Sequence, residues 1–182
     1  MSFKDMRSFL DYLDERGELA IVDQMVDTEF EIAAFIRSAS DNDGPAFLFS
    51  NVKGYDLRVA GGLFCTPSKA VHALQATDHR ESLERFIHAL QNPIDPVLVQ
   101  KGPCKEVVLT GEQVDLTHLP IPRYSEQDPG RFITVGVEIT KDVETGNRNA
   151  GIYRMQLYGA KEMGLAASPY SDWHAIFARA EA

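Results

Sequence analysis

The sequence predicts an α+β fold, in which a mixed α/β domain over residues 1–115 precedes a proline-rich linker over 116–130 and a β-rich unit over 131–182. Three observations support this organisation. Helix-like and strand-like apolar periods alternate as far as about residue 100. Six of the nine prolines then lie between residues 93 and 130. After Gly130 the apolar period becomes two, which is typical of a strand.

The first half of the predicted α/β domain contains two helices with a strand between them. Ser2 is expected to cap the first helix and Gly17 to end it. The stretch ELAIVDQ then predicts a short strand. A capping box of Thr28 and Glu31 precedes IAAFIRSAS, which predicts the second helix, and the polar turn DNDG ends it.

Two further strands and two further helices complete this domain. The stretch PAFLFSNV predicts a buried strand, and GYDLRVAGGLF contains another. A third helix opens at Pro67, and a fourth follows a second capping box, formed by Asp78 and Glu81, and ends at Asn92. The predicted order is therefore helix, strand, helix, strand, strand, helix, helix, with the helices packed on a small sheet.

The linker and the second unit differ from the first domain in residue pattern. Pro120 and Pro122 exclude a helix from LPIPRYSEQDPG, which is expected to be extended. The stretch RFITVGVEIT predicts a half-buried strand, and a turn at Gly146 leads to an antiparallel partner, NAGIYRMQLYG. Ser171 or Asp172 is expected to cap a last helix. Because a hairpin and one helix do not make a stable domain, the sequence is expected to be the N-terminal portion of a longer protein.

Composition restricts the classes of partner. The net charge of −9 offers no general attraction for nucleic acid or for an anionic membrane, so neither is expected as a partner. No apolar run approaches the roughly 20 residues that a membrane span needs, and no leader peptide is recognised. Cys65 and Cys104 lack the spacing of a disulfide framework or a metal site. They are interpreted as reduced thiols of a cytoplasmic protein.

The sharpest candidates for chemistry lie in NRNAGIYRMQLYG. Arg154 interrupts an apolar run with a planar, charged guanidinium whose N–H groups could bind a ligand. The alternative is a surface arginine on the exposed face of a strand. Asn149 offers a hard oxygen ligand, suited to Mg²⁺, Mn²⁺ or K⁺ beside a phosphate. A regular strand sends residues five apart to opposite faces. The two share a site only if Gly151 hosts a bulge, or if a flat ligand lies along the strand.

The histidines give a weaker signal. None of the five has the spacing of a metal motif; they are His72, His79, His88, His118 and His174. His174 begins the last predicted helix, where backbone N–H groups could hold a phosphate. No nucleophile elbow, Walker loop or dinucleotide-binding fingerprint is found.

Four stretches in order and in register carry a family resemblance. They are DMRSFLDYLDERGEL, PAFLFSNVKGY, VDLTHLPIPRYSEQDPGRFIT and NRNAGIYRMQ. Together they resemble the UbiD-like family of decarboxylases that use prenylated flavin mononucleotide (prenylated FMN), over essentially the whole sequence. The resemblance implies reversible decarboxylation of a small aromatic, heteroaromatic or α,β-unsaturated carboxylic acid. It also implies a split β-barrel that holds the flavin after the α/β domain, a flavin prenyltransferase that supplies the cofactor, and a homo-oligomer.

The resemblance also implies roles for single residues. The family motif N-x-G-x-Y-R matches this sequence at Asn149, Gly151, Tyr153 and Arg154. By that match Asn149 is a ligand of the Mn²⁺ or Mg²⁺ ion on the flavin phosphate, and K⁺ is a further ion of such sites. The stretch from Asn149 to Arg154, including Ile152, lines the cofactor. Arg154 is the catalytic arginine that orients the substrate carboxylate.

Two departures from the family pattern matter. Many relatives carry P-Q-H before the last helix, with the histidine on the metal, whereas this sequence has Pro169, Tyr170 and Ser171 there. Tyr170 and Ser171 are expected at the cofactor. Three alternatives stay open for the missing metal ligand: Ser171 replaces it, His174 replaces it, or the metal site is altered. The family's catalytic glutamates and its remaining metal glutamate are expected beyond residue 182. Two alternatives stay open: a catalytically incomplete fragment or partner subunit, and a flavin-binding oxidoreductase.

Overall fold

The computed structural model describes residues 3–182 and confirms the α+β class with two three-stranded sheets. The first sheet has the order β1-β2-β3, with β1 parallel and β3 antiparallel to β2. The second is antiparallel in the order β4-β5-β6. The elements are α1 (Met6–Glu15), β1 (Leu19–Val22), α2 (Glu31–Asp41), β2 (Ala46–Phe49), β3 (Val59–Gly61), α3 (Pro67–Ala73), α4 (His79–Gln91), β4 (Phe132–Lys141), β5 (Arg148–Gly159), β6 (Glu162–Ala166) and α5 (Asp172–Glu181).

The predicted element order is confirmed, and the differences lie mainly at the ends of elements. Helix α1 is capped by Asp5, whose carboxylate accepts from the N–H of Ser8 at 2.9 Å; the predicted cap, Ser2, lies outside the described residues. Gly17 ends the helix with φ at 70°, as predicted. Strand β6 was not predicted, because EMGLA is short and follows β5 after a tight turn.

Both predicted capping boxes differ from the structure. Thr28 does not cap α2; its buried hydroxyl accepts from Arg131 at 2.7 Å, and the Glu31 carboxylate accepts instead from the N–H of Asp27 at 2.7 Å. At α4, Asp78 accepts from the N–H of Glu81 at 2.8 Å, as predicted. The Glu81 carboxylate accepts from the N–H of Thr77 rather than from that of Asp78, at 2.7 Å. The first difference reflects a tertiary partner that local sequence does not specify.

The apolar core of the first domain lies between β2 and α2. Phe49 and Ile32 are completely buried, and the ring of Phe35 packs edge-on against those of Phe47 and Phe49. A second cluster joins α1 to this sheet through Leu13 and its neighbours. Burying aromatic and aliphatic side chains of this size stabilises a domain by roughly 1.5–3 kcal/mol each.

The stretch from 119 to 130 contains no helix, as predicted, and docks on the first domain. The N–H of Arg123 donates to the Thr28 carbonyl at 3.0 Å, and the N–H of Phe30 donates back to the Arg123 carbonyl at 3.1 Å. Ile121 is buried beside this bridge. The linker is thus fixed to the chain just before α2.

A single carboxylate strengthens this junction. Glu29 pairs through one oxygen with Arg123 at 3.1 Å and through the other with Arg131 at 2.8 Å. Arg131 also donates to the Thr28 hydroxyl and to the Ile121 carbonyl at 2.8 Å. We call these residues, Glu29 with Arg123 and Arg131, the Glu29 anchor. It joins the first domain to the beginning of β4.

Strand β4 has the predicted period of two, but its apolar side faces outward. Val135, Val137 and Ile139 are 65%, 60% and 70% exposed. The half-buried side carries Glu138 and Thr140 instead, because α5 packs on that face. Period alone identifies the strand but not which of its faces is covered.

The Glu29 anchor predicts a cost for losing its second guanidinium. Arg131→Met should lower the free energy of unfolding by about 2 kcal/mol, because Glu29, the Thr28 hydroxyl and the Ile121 carbonyl each lose a charged donor. The matched control is Arg37→Met, since Arg37 makes one exposed ion pair within α2; it should cost less than about 0.5 kcal/mol. Urea denaturation measures both. Equal losses would show that the anchor does not stabilise the junction.

Candidate functional site

Strand β5 forms the centre of the candidate site and has two neighbours over only part of its length. It pairs with β4 from Arg148 to Gln156, but with β6 only from Arg154 to Gly159. In the described part of the chain, residues 148–153 therefore have a strand on one side only. We call this stretch the free edge of β5. Its outward backbone N–H and C=O groups are available to a ligand.

The structure does not place a bulge at Gly151. Pairing with β4 continues without a shift from Arg148 to Tyr153, and the irregularity lies in β4, between Ile133 and Gly136. The prediction of a Gly151 bulge is therefore wrong. Asn149 and Arg154 lie on opposite faces of β5, as a regular strand requires. The other predicted arrangement, a flat ligand along the strand, is compatible with the free edge.

Gly151 is explained by its neighbour two residues away. A Cβ atom at Gly151 would lie 2.6 Å from the Tyr153 ring, which covers the glycine on the face of Asn149. The same ring packs against Trp173 of α5, with 6.1 Å between centroids. The glycine thus makes room for an aromatic contact that helps to seat α5 on the sheet. Ile152 points to the other face and is 66% exposed.

The Asn149 face opens into a cavity of about 340 Å³ between β5, the β4–β5 turn and α5. Its polar lining includes Arg148, Asn149 and Asp172. Asn149 Nδ2 and the hydroxyl of Thr140, its cross-strand partner, are buried without a hydrogen-bond partner in the described chain. Two adjacent buried polar groups without partners indicate a place for water, an ion or a ligand.

An ion pair holds α5 over this cavity. Arg179 donates to the buried carboxylate of Asp142 at 2.6 Å. The other Asp142 oxygen accepts from the N–H of Glu144 at 2.9 Å. Together these hydrogen bonds hold the pKa of Asp142 below its ordinary value of 3.8. The backbone N–H of Glu144 has the larger effect and the guanidinium of Arg179 the smaller one. The turn after β4 and the C-terminal half of α5 are thereby tied together.

Helix α5 presents Asp172, rather than His174, to the cavity. The cavity is lined by Asp172, Ile176 and Arg179, which share one face of the helix, whereas His174 is exposed and is not part of the lining. The structure therefore does not bring His174 to Asn149. Tyr170 is 98% exposed. Among residues 3–182, no group of three or more His, Cys, Asp or Glu side chains is placed to hold a metal ion.

Ser171 caps α5, as predicted. Its hydroxyl donates to the Ser168 carbonyl at 2.7 Å and accepts from the N–H of His174 at 3.2 Å. The proton and one lone pair of this hydroxyl are therefore committed to the start of the helix. A ligand at Ser171 would have only the second lone pair.

The opposite face of β5 carries Arg154 in a second cavity, of about 290 Å³. Gln156 and Tyr158 follow on the same face at alternate positions and line the cavity with it. The guanidinium of Arg154 lies over the Phe132 ring, 5.0 Å from its centroid. Arg154 is exposed, as the surface alternative predicted, and within residues 3–182 it forms no ion pair, so its donors are open to solvent and to a ligand in the cavity. Asp128 contributes a carboxylate to the lining.

Several of these residues escaped the sequence-based prediction. Gln156 and Tyr158 lie two and four residues after Arg154, so the period of two in a strand could have placed them on its face. Asp172 could have been found from its helical spacing to Ile176 and Arg179. Phe132 could not, because the irregularity in β4 decides which residue lies beneath Arg154.

The chain is similar both to known domain families and to solved structures. Two domain families match: the 3-octaprenyl-4-hydroxybenzoate carboxy-lyase N-terminal domain over residues 10–90, and the Rift-related domain of the same carboxy-lyase over residues 97–182. Within residues 3–182, no helix is both long enough and apolar enough to cross a bilayer.

Two enzymes represent the similar solved structures. The UbiD-class enzyme HmfF from Pelotomaculum thermopropionicum, in complex with FMN, is 34% identical with a TM-score of 0.86; the match covers 96% of this chain and 39% of that one. An evolved dimeric form of HmfF was solved with prFMN. The closed form of vanillic acid decarboxylase from Sedimentibacter hydroxybenzoicus is 28% identical with a TM-score of 0.91, covering 100% of this chain and 40% of that one. The chain thus spans about two fifths of these structures.

The contact between Gly151 and Tyr153 predicts a local rearrangement. Gly151→Ala should displace the Tyr153 ring and disturb the sole tryptophan, Trp173, giving a change in its fluorescence maximum. The free energy of unfolding should change by no more than about 1 kcal/mol, because the ring can rotate and alanine favours a strand over glycine. The control is Gly159→Ala, which meets nothing within 4 Å. Fluorescence that changes equally in both variants would contradict this role.

The Asp142–Arg179 pair predicts a pH dependence. Since the folded pKa of Asp142 lies below 3.8, its stabilisation is complete above that pH and is lost as the pH falls further through the lowered pKa. Trp173 fluorescence should therefore report undocking of α5 below pH 3.8. Asp142→Asn should remove this transition, whereas Asp56→Asn, at an exposed position, should not. An unchanged transition in Asp142→Asn would exclude the pair as its cause.

Proposed function

The chain belongs to the UbiD family of carboxy-lyases, and we propose that it is the N-terminal portion of an enzyme that decarboxylates an aromatic, heteroaromatic or α,β-unsaturated carboxylic acid, reversibly and with prenylated FMN. One observation carries this proposal. Arg154 offers an exposed guanidinium without an ion pair in a cavity whose floor is the Phe132 ring, beside the free edge of β5.

Arg154 suits the carboxylate of the substrate. A guanidinium binds a carboxylate through two parallel N–H donors, which fixes both the position and the plane of the acid. Phe132 lies beneath that guanidinium and keeps it extended toward the cavity. The amide of Gln156 and the phenol of Tyr158 stand next along the same face and would contact the ring or its substituents. Substrate binding would thus follow the row of side chains on one face of β5.

The free edge and the Asn149 cavity fit a phosphate-bearing flavin. When bound, prenylated FMN supplies the electron sink for the carbanion that loss of CO₂ leaves. Backbone groups of residues 148–153 would hold the flat ring, and Arg148 would face its phosphate. The Oδ1 atom of Asn149 and the carboxylate of Asp172 would be the oxygen ligands that Mn²⁺ or Mg²⁺ prefers, with K⁺ as a further ion. The buried Nδ2 of Asn149, which has no partner in the described chain, is a donor and suits a phosphate oxygen. A ligand along the edge would reach Asn149 and Arg154 from opposite faces.

The return of a proton needs another group. A guanidinium donates hydrogen bonds but does not act as a general acid in proteins, so Arg154 cannot return the proton. Among the described residues that line its cavity, Asp128 is the one carboxylate, and its side chain accepts from the N–H of Ser125 at 3.0 Å. An acid that protonates the product carbon must therefore be Asp128 or must enter this cavity from elsewhere.

Partners and location follow from the same proposal. The small acid is the substrate, a flavin prenyltransferase supplies the cofactor, and the enzyme assembles as a homo-oligomer. The free thiols of Cys65 and Cys104 support a reducing, cytoplasmic setting.

Arg154→Gln tests the proposal on the enzyme reconstituted with prenylated FMN. Release of CO₂ from a panel of phenolic and heteroaromatic acids should fall at least about 100-fold, because the carboxylate loses its bidentate partner. The flavin absorbance bound to the protein should remain, since the free edge is unaltered. Arg58→Gln, an exposed arginine near the first sheet, is the control and should leave both readings unchanged. Turnover that survives Arg154→Gln would refute the role, and an unmodified flavin spectrum with redox activity would favour an oxidoreductase.

A further inference from the structure

A short turn of the linker forms part of the wall of the Arg154 cavity. Asp128 lines the cavity, and the turn that ends at Asp128 closes on itself. The N–H of Asp128 donates to the Ser125 carbonyl at 3.1 Å, and the N–H of Ser125 donates to the Asp128 carboxylate at 3.0 Å. We call residues 125–128 the cavity turn. Within the described chain these four residues belong to no helix or strand, so other contacts hold the turn in place.

The guanidinium of Arg123 supplies those contacts. Its Nη2 atom donates to two carbonyls of the cavity turn, that of Glu126 at 3.0 Å and that of Asp128 at 2.9 Å. Its Nη1 atom donates to Glu29 at 3.1 Å. The guanidinium also lies over the Phe30 ring, 5.5 Å from its centroid, which restricts its plane. One planar group thus ties the cavity turn to a carboxylate of the first domain.

The backbone of Arg123 docks the linker on the first domain without help from its side chain. Its N–H donates to the Thr28 carbonyl at 3.0 Å, and its carbonyl accepts from the N–H of Phe30 at 3.1 Å. Arg131 pairs with Glu29 independently, at 2.8 Å. Two of the three hydrogen bonds of the Arg123 guanidinium go to the cavity turn. The side chain therefore serves the position of that turn more than the docking of the linker.

The position of the cavity turn matters because Asp128 and Arg154 carry opposite charges in one small cavity. The space of about 290 Å³ equals roughly ten water molecules at about 30 Å³ each. Within residues 3–182 the two side chains nevertheless form no ion pair. The exposed arginine side chain can move, whereas Asp128 is held at its carbonyl by Arg123 and at one carboxylate oxygen by Ser125. These two hydrogen bonds keep the carboxylate away from the guanidinium.

We propose that Arg123 is a positioning residue for the decarboxylation: it holds Asp128 away from Arg154, so that the Arg154 guanidinium stays free for the carboxylate of the substrate. This role rests on the proposed function of Arg154. If Asp128 paired with Arg154, the acid would have to displace it before binding. Loss of the Arg123 side chain should therefore weaken binding of the acid more than it slows the chemical step.

The first measurement needs neither cofactor nor substrate. In ¹⁵N spectra of the arginine side chains, the Arg154 signal is assigned by its loss in Arg154→Gln. Arg123→Met should shift this signal and slow the rotation of the guanidinium, because Asp128 then pairs with Arg154. Combining Arg123→Met with Asp128→Asn should return the signal to its original position. An Arg154 signal that Arg123→Met leaves unchanged would refute the proposal, whatever the activity of the enzyme.

The second measurement uses the enzyme reconstituted with prenylated FMN. Arg123→Met should raise KM for the acid by about two- to fivefold, the factor that a partly exposed ion pair supplies, with a smaller effect on kcat. In the Asp128→Asn background the same substitution should cause no further rise in KM, because no carboxylate remains to pair with Arg154. A rise that persists in that background would overturn the proposal and leave Arg123 a structural role only.

Control variants separate this role from general loosening of the fold. Arg80→Met, at an exposed ion pair within α4, should change neither KM nor the Arg154 signal. Circular dichroism checks that each variant is folded. If Arg123→Met does not fold, Arg123→Lys decides, because lysine keeps the charge beside Glu29 but loses the fork that holds the cavity turn. If the unaltered enzyme shows no turnover, the proposed function fails, and the Arg154 signal still decides whether Arg123 keeps Asp128 away.

Discussion

The Glu29 carboxylate is the interaction on which the arrangement of the two sheets depends. It meets Arg123 of the linker and Arg131 at the entry to β4, so one acidic side chain fixes the chain before α2 both to the linker and to the residue that follows it. Phe30, the residue after Glu29, has a positive φ of 69°, in the region that favours glycine. That conformation costs of order 1–3 kcal/mol and persists only because the backbone bridge to Arg123 and two charged hydrogen bonds offset it. The same segment carries Asp128 to the Arg154 cavity.

The second constraint is the parity of β5. A straight strand has two faces, so the two proposed roles are divided: the amide of Asn149 lies under α5, and the guanidinium of Arg154 lies over Phe132. The two functions can meet only around the side of the strand, where β6 has not yet begun to pair. The late start of the β5–β6 pairing therefore favours ligand binding. It leaves backbone donors and acceptors of β5 exposed between Asn149 and Arg154.

Much of this fold follows from local sequence, and the remainder follows from contacts between distant segments. Apolar period and turn residues identify the order of the elements, since each element is encoded within about ten residues. The Thr28 cap fails because Arg131, distant in sequence, takes the hydroxyl. The motif from Asn149 to Arg154 was recognised by resemblance, whereas Asp172 and Phe132 emerge only when α5 and the β4 irregularity are placed. His174 illustrates the same limit, because it lies two residues, or about half a helical turn, after Asp172, which faces the cavity instead.

The outward apolar row of β4 has a consequence for handling the polypeptide. Val135, Val137 and Ile139 of β4 form a hydrophobic stripe next to Ile152 of β5, the strand whose edge away from β4 is free over residues 148–153. An exposed apolar face beside an unpaired strand edge allows strands of separate molecules to pair with one another, which can lead to fibrils. The net charge of −9 opposes this through mutual repulsion, which added salt weakens. Concentrated stocks of the 182-residue polypeptide are therefore best kept at low ionic strength and well above its isoelectric point near 5.0.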